Sequence, residues 1–395
     1  MSVSHIIILL FIGYIIFTID KKQENFPVPV ILVGIGIGLS FIPYFSDVQV
    51  TERTIYHVFL PALLFTSAYQ FSAGEFKKNA GIIIFLATIG IMLTVGLLGS
   101  VIFLVSGPFV SITFLGALVI ASILTPTDPV SVVSIIQKAA GDDTIADVVE
   151  GESLLNDGTS IVIFSTLAGM LAQSQSAGVF SFFGQFLLVS LGGVALGVIF
   201  GWLISKAVYI THHQQYHVML SIILAYGVFN IAEAIHVSGV LATVSAGIML
   251  SFEFASSEKE EKFKENLDGF WTIVEPSVLT LLFLLIGIEA KEFLAFGAWG
   301  FAFIIFLLSI IVRFAIVMGA TQAFPKWRDK ISWRESTVIT WGGLKGSMSV
   351  YLILSLYSMN SGQHDTIVSL SFAAVLVSLV VQSMGVSPLA KKLIK

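Results

Sequence analysis

The stretch Asp147 to Leu167 reads Asp-Val-Val-Glu-Gly-Glu-Ser-Leu-Leu-Asn-Asp-Gly-Thr-Ser-Ile-Val-Ile-Phe-Ser-Thr-Leu, and it puts Glu152 and Asp157 inside a segment otherwise apolar enough to cross a bilayer. One ionised side chain at the bilayer centre costs about 2.5 to 3.5 kcal/mol on insertion scales. A carboxylate kept there is therefore paired, faces an aqueous cavity, or marks an ion or proton path. At 100° per residue, Glu152, Ser153, Asn156, Asp157 and Ser160 fall on one side of a helix, while Leu154, Leu155, Ile161 and Val162 spread over the rest. The stretch is an apolar helix with one polar stripe.

Composition carries the membrane reading to the whole chain. Of 395 residues, 56% are hydrophobic and 11% charged, against about a quarter charged in soluble domains. No basic block suggests nucleic acid. Cysteine is absent, which excludes disulfides, thiolate metal sites and cysteine nucleophiles. Ser4 to Ile19 lacks the basic leader of a cleavable signal and is followed by Lys21 and Lys22, so it is expected to be a retained first span.

With about 20 apolar residues per crossing, thirteen spans are expected, near 4–19, 28–45, 55–71, 80–105, 111–136, 146–173, 179–208, 216–235, 238–252, 270–288, 293–323, 334–357 and 364–388. Of the 20 Lys and Arg residues, Arg313 and Lys345 lie within spans and only Arg53 and Lys291 fall in one set of alternate loops; all others fall in the opposite set. Basic residues mark the cytoplasmic side, which predicts an outside N-terminus and a cytoplasmic C-terminus. The longest polar loop, Ser256 to Asp268, reads as a solvated cytoplasmic connection, and no soluble domain is expected.

Two spans are interrupted. Thr125-Pro126-Thr127-Asp128-Pro129 breaks the fifth, because proline removes a backbone donor and disfavours helix in the residue before it. Trp341-Gly342-Gly343-Leu344-Lys345-Gly346-Ser347 permits a similar break in the twelfth. If 179–208 is a linker helix, the chain divides into halves of about 1–173 and 216–389, and both breaks fall on the fifth span of their half. Matched interruptions predict two inverted six-helix repeats whose broken helices cross at mid-membrane. A negative Asp128 and a positive Lys345 would then compensate opposed half-helix dipoles.

These motifs in combination are similar to the monovalent cation/proton antiporter family that includes the sodium/proton exchangers. The residues that carry the likeness are Thr127-Asp128-Pro129, Gly151-Glu152-Ser153-Leu154-Leu155-Asn156-Asp157, Val312-Arg313-Phe314 and Gly342-Gly343-Leu344-Lys345-Gly346. The resemblance implies thirteen helices, a homodimer, a scaffold with a moving core, and exchange of sodium or lithium for protons across the cell membrane with no cofactor. It implies that Asp157 holds either a proton or a cation. Ser153, a carbonyl near Thr127 and water would complete the sodium ligands, and Asn156 would orient a water or Asp128. It implies a salt bridge of Glu152 with Arg313, and by the same logic of Asp128 with Lys345, since a lone buried charge is costly.

Two departures stand out. The family has Arg where this chain has Lys345, which keeps the charge and loses the bidentate fork. In the third span the family commonly ends a Leu-Pro-Pro-Leu-Leu-Phe run with an acid, where this chain has Leu60-Pro61-Ala62-Leu63-Leu64-Phe65-Thr66. A neutral Thr66 makes potassium/proton exchange the leading alternative. A channel would need a continuous pore, which a single exchangeable carboxylate between broken helices argues against. An enzyme would need motifs such as HExxH, GxSxG or a Walker sequence, and the chain has none. Glu233 with His236, Glu275 with Glu289, and the cluster His212, His213 and His217 are read as packing, interfacial and solvated groups respectively.

Overall fold

The computed structural model describes residues 2–19, 28–45, 48, 51–128, 132–133, 136–137, 144–173, 179–208, 213–254, 258–294, 297–359 and 365–393. All regular structure among them is helical. The long helices are α1 (Val3–Ile19), α2 (Val28–Leu39), α3 (52–70), α4 (Ala73–Ser106), α5 (Phe114–Ile123), α6 (Thr144–Gln173), α7 (Val179–Val208), α8 (Gln214–Ala234), α9 (Gly239–Phe254), α10 (Glu258–Leu294), α11 (Trp299–Ala323), α12 (Trp333–Gly342), α13 (Ser347–Met359) and α14 (Asp365–Leu393). Helix occupies each of the thirteen stretches expected from hydropathy, and seven of these helices are long and apolar enough to cross a membrane alone. Pro129, Lys138 and His212 lie outside the described residues.

The helices pack as two groups. One gathers α1, α2, α3 and α7 to α10; the other gathers α4 to α6 and α11 to α14. In the first group α7 lies closely against α9 because small residues meet along the seam: a Cβ on Gly197 would collide with the carbonyl of Ala242. Without a hydrophobic drive between helices in lipid, such close approach is what binds them.

Local chemistry sets where helices start and deform. Ser332 opens α12 with a capping box, its hydroxyl accepting from the Glu335 N–H (3.4 Å) while the Glu335 carboxylate accepts from the Ser332 N–H (2.5 Å). Pro61 has no N–H to give, and α3 widens into a π-helical turn at Ile55–Phe59 just before it. A second π-helical turn, Leu86–Gly90 in α4, leaves the Ala87 carbonyl to accept from the Thr159 hydroxyl of α6 at 2.6 Å.

Two expectations are corrected. The segment expected to be a solvated connection, Ser256 to Asp268, is from Glu258 onward the first turns of α10. Phe263 and Leu267 are four residues apart and buried, with Phe263 edge-on to His217 (4.9 Å) and to Phe254 (5.3 Å). Its charges mark contact with water, whereas its i, i+4 apolar pair makes it a helix. His217 is accordingly not a solvated loop residue; it is buried in α8, with Nδ1 3.4 Å from the Asn266 amide. Glu233 does pack: it accepts from the Tyr56 hydroxyl and the Gly239 N–H, both at 2.8 Å.

Candidate functional site

The two broken helices meet at their breaks. α5 stops at Ile123, Leu124 folds its N–H back onto Ile120 and Ala121, and Pro126 prevents the helix from resuming. α12 stops at Gly342 and α13 begins at Ser347. Between them the Asp128 N–H donates to the Leu344 carbonyl at 2.8 Å. A Cβ on Gly346 would overlap the Asp128 side chain, so only glycine allows this approach.

Backbone groups freed by the breaks cannot stay unpaired in an apolar setting. Ser349 donates to the Ile123 carbonyl (2.8 Å), Gln382 donates to the carbonyls of Trp341 (2.9 Å) and Gly343 (3.4 Å), and Ser378 accepts from the Lys345 N–H (3.2 Å). Ser378 also donates to the Gln382 side-chain carbonyl. Sequence reasoning missed all three residues. Two of them, Ser378 and Gln382, stand four apart on one face of α14, which is the signal that was available.

The polar stripe of α6 faces these breaks. Ser153 donates to the Thr127 carbonyl. Asn156 accepts from the Thr127 N–H (3.3 Å) and donates to the Thr127 hydroxyl (2.7 Å) and to Glu152 Oε1 (3.1 Å). Asn156 thus clamps the broken segment at Thr127. Arg313 of α11 then grips Glu152 with both terminal nitrogens, at 3.1 and 2.5 Å. The result is a continuous relay of contacts from α11 through α6 to the break in α5.

Asp157 differs from its neighbours. Its Oδ1 is buried and accepts no hydrogen bond among the described residues. It lines a cavity of about 40 Å³ with Ser67, Thr127, Asp128, Ser153, Leu279 and Gly346, room for a few waters or a monatomic cation. Carboxylate, hydroxyl and carbonyl oxygens are the ligand types that hard cations take.

Thr66 and Lys345 stand away from this cavity. Thr66 is fully buried and its hydroxyl donates to the Ala62 carbonyl of its own helix at 2.8 Å. The polar residue of α3 that lines the cavity is Ser67, together with Leu60, Leu63 and Leu64 of the same face. That i, i+3, i+4, i+7 spacing was readable, but matching the family run directed attention one residue short. Lys345, buried, lines a second cavity of about 20 Å³ together with Glu152 and Arg313, whereas Asp128 lines the cavity of Asp157. The two charges at the breaks therefore face different cavities, and the expected pairing of Asp128 with Lys345 gives way to a group of Lys345, Arg313 and Glu152.

Residues 6–392 match the family described as sodium/hydrogen exchanger, transmembrane. The chain belongs to the sodium/hydrogen exchanger family. Among members of that family it is 32% identical to the Na(+)/H(+) antiporter NhaH of Halobacillus aidingensis, over 98% of this chain and 97% of that protein. It is 31% identical to the Na(+)/H(+) antiporter ApNhaP of Aphanothece halophytica, over 95% of this chain and 71% of that one. Its fold is similar to that of the sodium proton antiporter MjNhaP1 from Methanocaldococcus jannaschii, with a TM-score of 0.78, 16% identity, and 99% and 98% of the two chains covered. Like the rest of the exchanger family, the chain is a multi-pass membrane protein.

Proposed function

We propose that this protein is a secondary antiporter that exchanges monovalent cations, sodium foremost and lithium with it, for protons at Asp157. The observation that carries the reading is the Asp157 Oδ1, buried beside two broken helices with no donor among the described residues, in a cavity it shares with Ser67, Thr127 and Ser153. A carboxylate so placed is held either by a proton or by a cation, and one excludes the other. A bare carboxylate is costly to carry through an apolar barrier, so only the loaded forms cross, and the two fluxes are coupled.

Asn156 occupies the position where a second carboxylate would add a second charge, and its amide is taken up by Thr127 and Glu152. One exchangeable site gives electroneutral, one-for-one exchange. The arrangement we infer is thirteen crossings in two inverted repeats, as a homodimer in the cell membrane, with the N-terminus outside and the C-terminus cytoplasmic. In that arrangement the group containing α6 moves against the group containing α3. Potassium is the second reading, favoured by one observation: α3 presents a neutral hydroxyl, Ser67, to the cavity.

The test is cation-induced dequenching of a pH dye in everted vesicles, with sodium, lithium and potassium, for wild type and Asp157→Asn. Dequenching with sodium or lithium that vanishes in a folded Asp157→Asn variant is the expected result. Appreciable cation-dependent proton flux in the variant would overturn the assignment of Asp157.

A further inference from the structure

We propose that the cleft between α4, α6, α7 and α9 holds one acyl chain of a bilayer phospholipid, and that Lys77 at its mouth takes the phosphate of an anionic headgroup. The cleft encloses about 660 Å³ and its walls are almost wholly hydrocarbon, including Met92, Leu155, Phe183, Leu191, Leu241 and Phe252. Of the four hydroxyls on the walls, those of Thr88 and Thr159 donate to the carbonyls of Ile84 and Ala87, both at 2.6 Å, which leaves only Ser190 and Ser245 as polar points on an otherwise apolar surface. Water finds too few partners on such walls to fill the space. In a chain that spans a membrane, the apolar solvent at hand is the lipid tail.

One end of the cleft is marked by charge. Phe76 and Phe252 line it there with rings 6.2 Å apart, and the Lys77 ammonium sits 4.7 Å over the Phe252 ring. Nearby cations are already engaged, Lys78 with Glu75 (3.2 Å) and Lys206 with Glu253 (3.1 Å). Lys77 is exposed and makes no ion pair among the described residues. An apolar cleft ending in a cation that has an aromatic face but no ion-pair partner among the described residues fits an amphiphile with an anionic head, and basic positions between membrane helices are where such headgroups bind.

The site joins the two helix groups. Leu155 and Thr159 flank Asp157 along α6, while α7 and α9 supply the opposite wall. A seated tail therefore rests on the helix that carries the candidate ion ligand and on the group it packs against. This inference needs only the membrane location and stands whether or not the ion assignment holds.

The experiment is native mass spectrometry of the full chain released from detergent after equilibration with phosphatidylglycerol or phosphatidylcholine of the same tails. Wild type is expected to retain one lipid per chain and to favour phosphatidylglycerol about fivefold, the factor that one lysine near an anionic surface contributes. Val194→Trp, which fills the cleft from α7, should abolish retention of both lipids. Leu191→Trp, at an exposed position on the same wall, repeats the test if the first variant folds poorly. Lys77→Gln should keep one lipid and lose the preference. Unchanged retention in folded Trp variants, or no headgroup preference in wild type, would overturn the proposal. Trp variants that turn dimers into monomers with lipid retention unchanged would also overturn it, and would assign the cleft to a second copy of the chain.

Discussion

The backbone N–H of Asp128 and the carbonyl of Leu344 are joined at 2.8 Å, which ties the break in α5 directly to the break between α12 and α13. Gly346 lies against the Asp128 side chain at this tie, with no room for a methyl group. Overpacking a tight contact costs about 1–3 kcal/mol. Gly346→Ala is expected to lower the detergent melting temperature and to reduce exchange. Gly34→Ala, with no atom near its added methyl group, should leave both unchanged. Melting curves and vesicle dequenching on the same preparations check the pair.

Residues 66 and 67 differ in what they touch, so they should differ in what they control. Thr66→Val removes a hydroxyl spent on its own helix and should alter neither cation preference nor pH profile. Ser67→Asp adds a second carboxylate to the cavity of Asp157, and two unit charges 4 Å apart interact by about 4 kcal/mol at an effective dielectric of 20. Repulsion makes the pair hold its proton to higher pH, so the activity profile should move alkaline. The added anionic oxygen should favour sodium and lithium over potassium. Sodium and potassium titrations across pH in proteoliposomes decide it; an unchanged profile in an active Ser67→Asp variant would place residue 67 outside the ion path.

Glu152, buried, and Arg313, partly buried, hold each other in a bidentate pair. Removing one partner strands the other, at about 3–5 kcal/mol. Glu152→Gln and Arg313→Ala are expected to melt well below wild type, with Arg313→Lys intermediate because it keeps charge without the fork. Transport lost at an unchanged melting temperature would instead give the pair a part in the mechanism.

Where α3 meets α13, the Ser358 hydroxyl donates to Glu52 (2.6 Å) and Tyr56 stacks on Tyr351 at 4.6 Å. These contacts cross between the two helix groups and must part if one group moves against the other. The chain has no cysteine, so Glu52→Cys with Ser358→Cys gives an unambiguous cross-link with a short bifunctional thiol reagent. Cross-linking is expected to stop exchange, and each single variant treated the same way should continue. Full exchange in the cross-linked protein would mean that this seam stays closed throughout the cycle.

The membrane class, the order of the helices, the two breaks and the polar stripe of α6 were legible in the chain itself. Each follows from a local property: hydropathy over one span, a proline or glycine at one backbone position, or the cost of one carboxylate in an apolar helix. Where a local property was misread, the error was local too, as with the charged segment before Asp268, whose i, i+4 pair of Phe263 and Leu267 makes it helical.

Relations between helices were decided only by the tertiary structure. A periodicity gives a residue's angle on its own helix but not the rotation of that helix against its neighbours. One position along α3 therefore separates Ser67 in the cavity from Thr66 bonded to Ala62. The same indeterminacy hid the direction of Lys345, which turns to Glu152 and Arg313 while Asp128, tied to Leu344 next to it, turns to Asp157. It also hid Gln382, Ser378 and Ser349, whose role exists only because packing brings their helices to the breaks, where freed backbone groups need partners that lipid cannot supply.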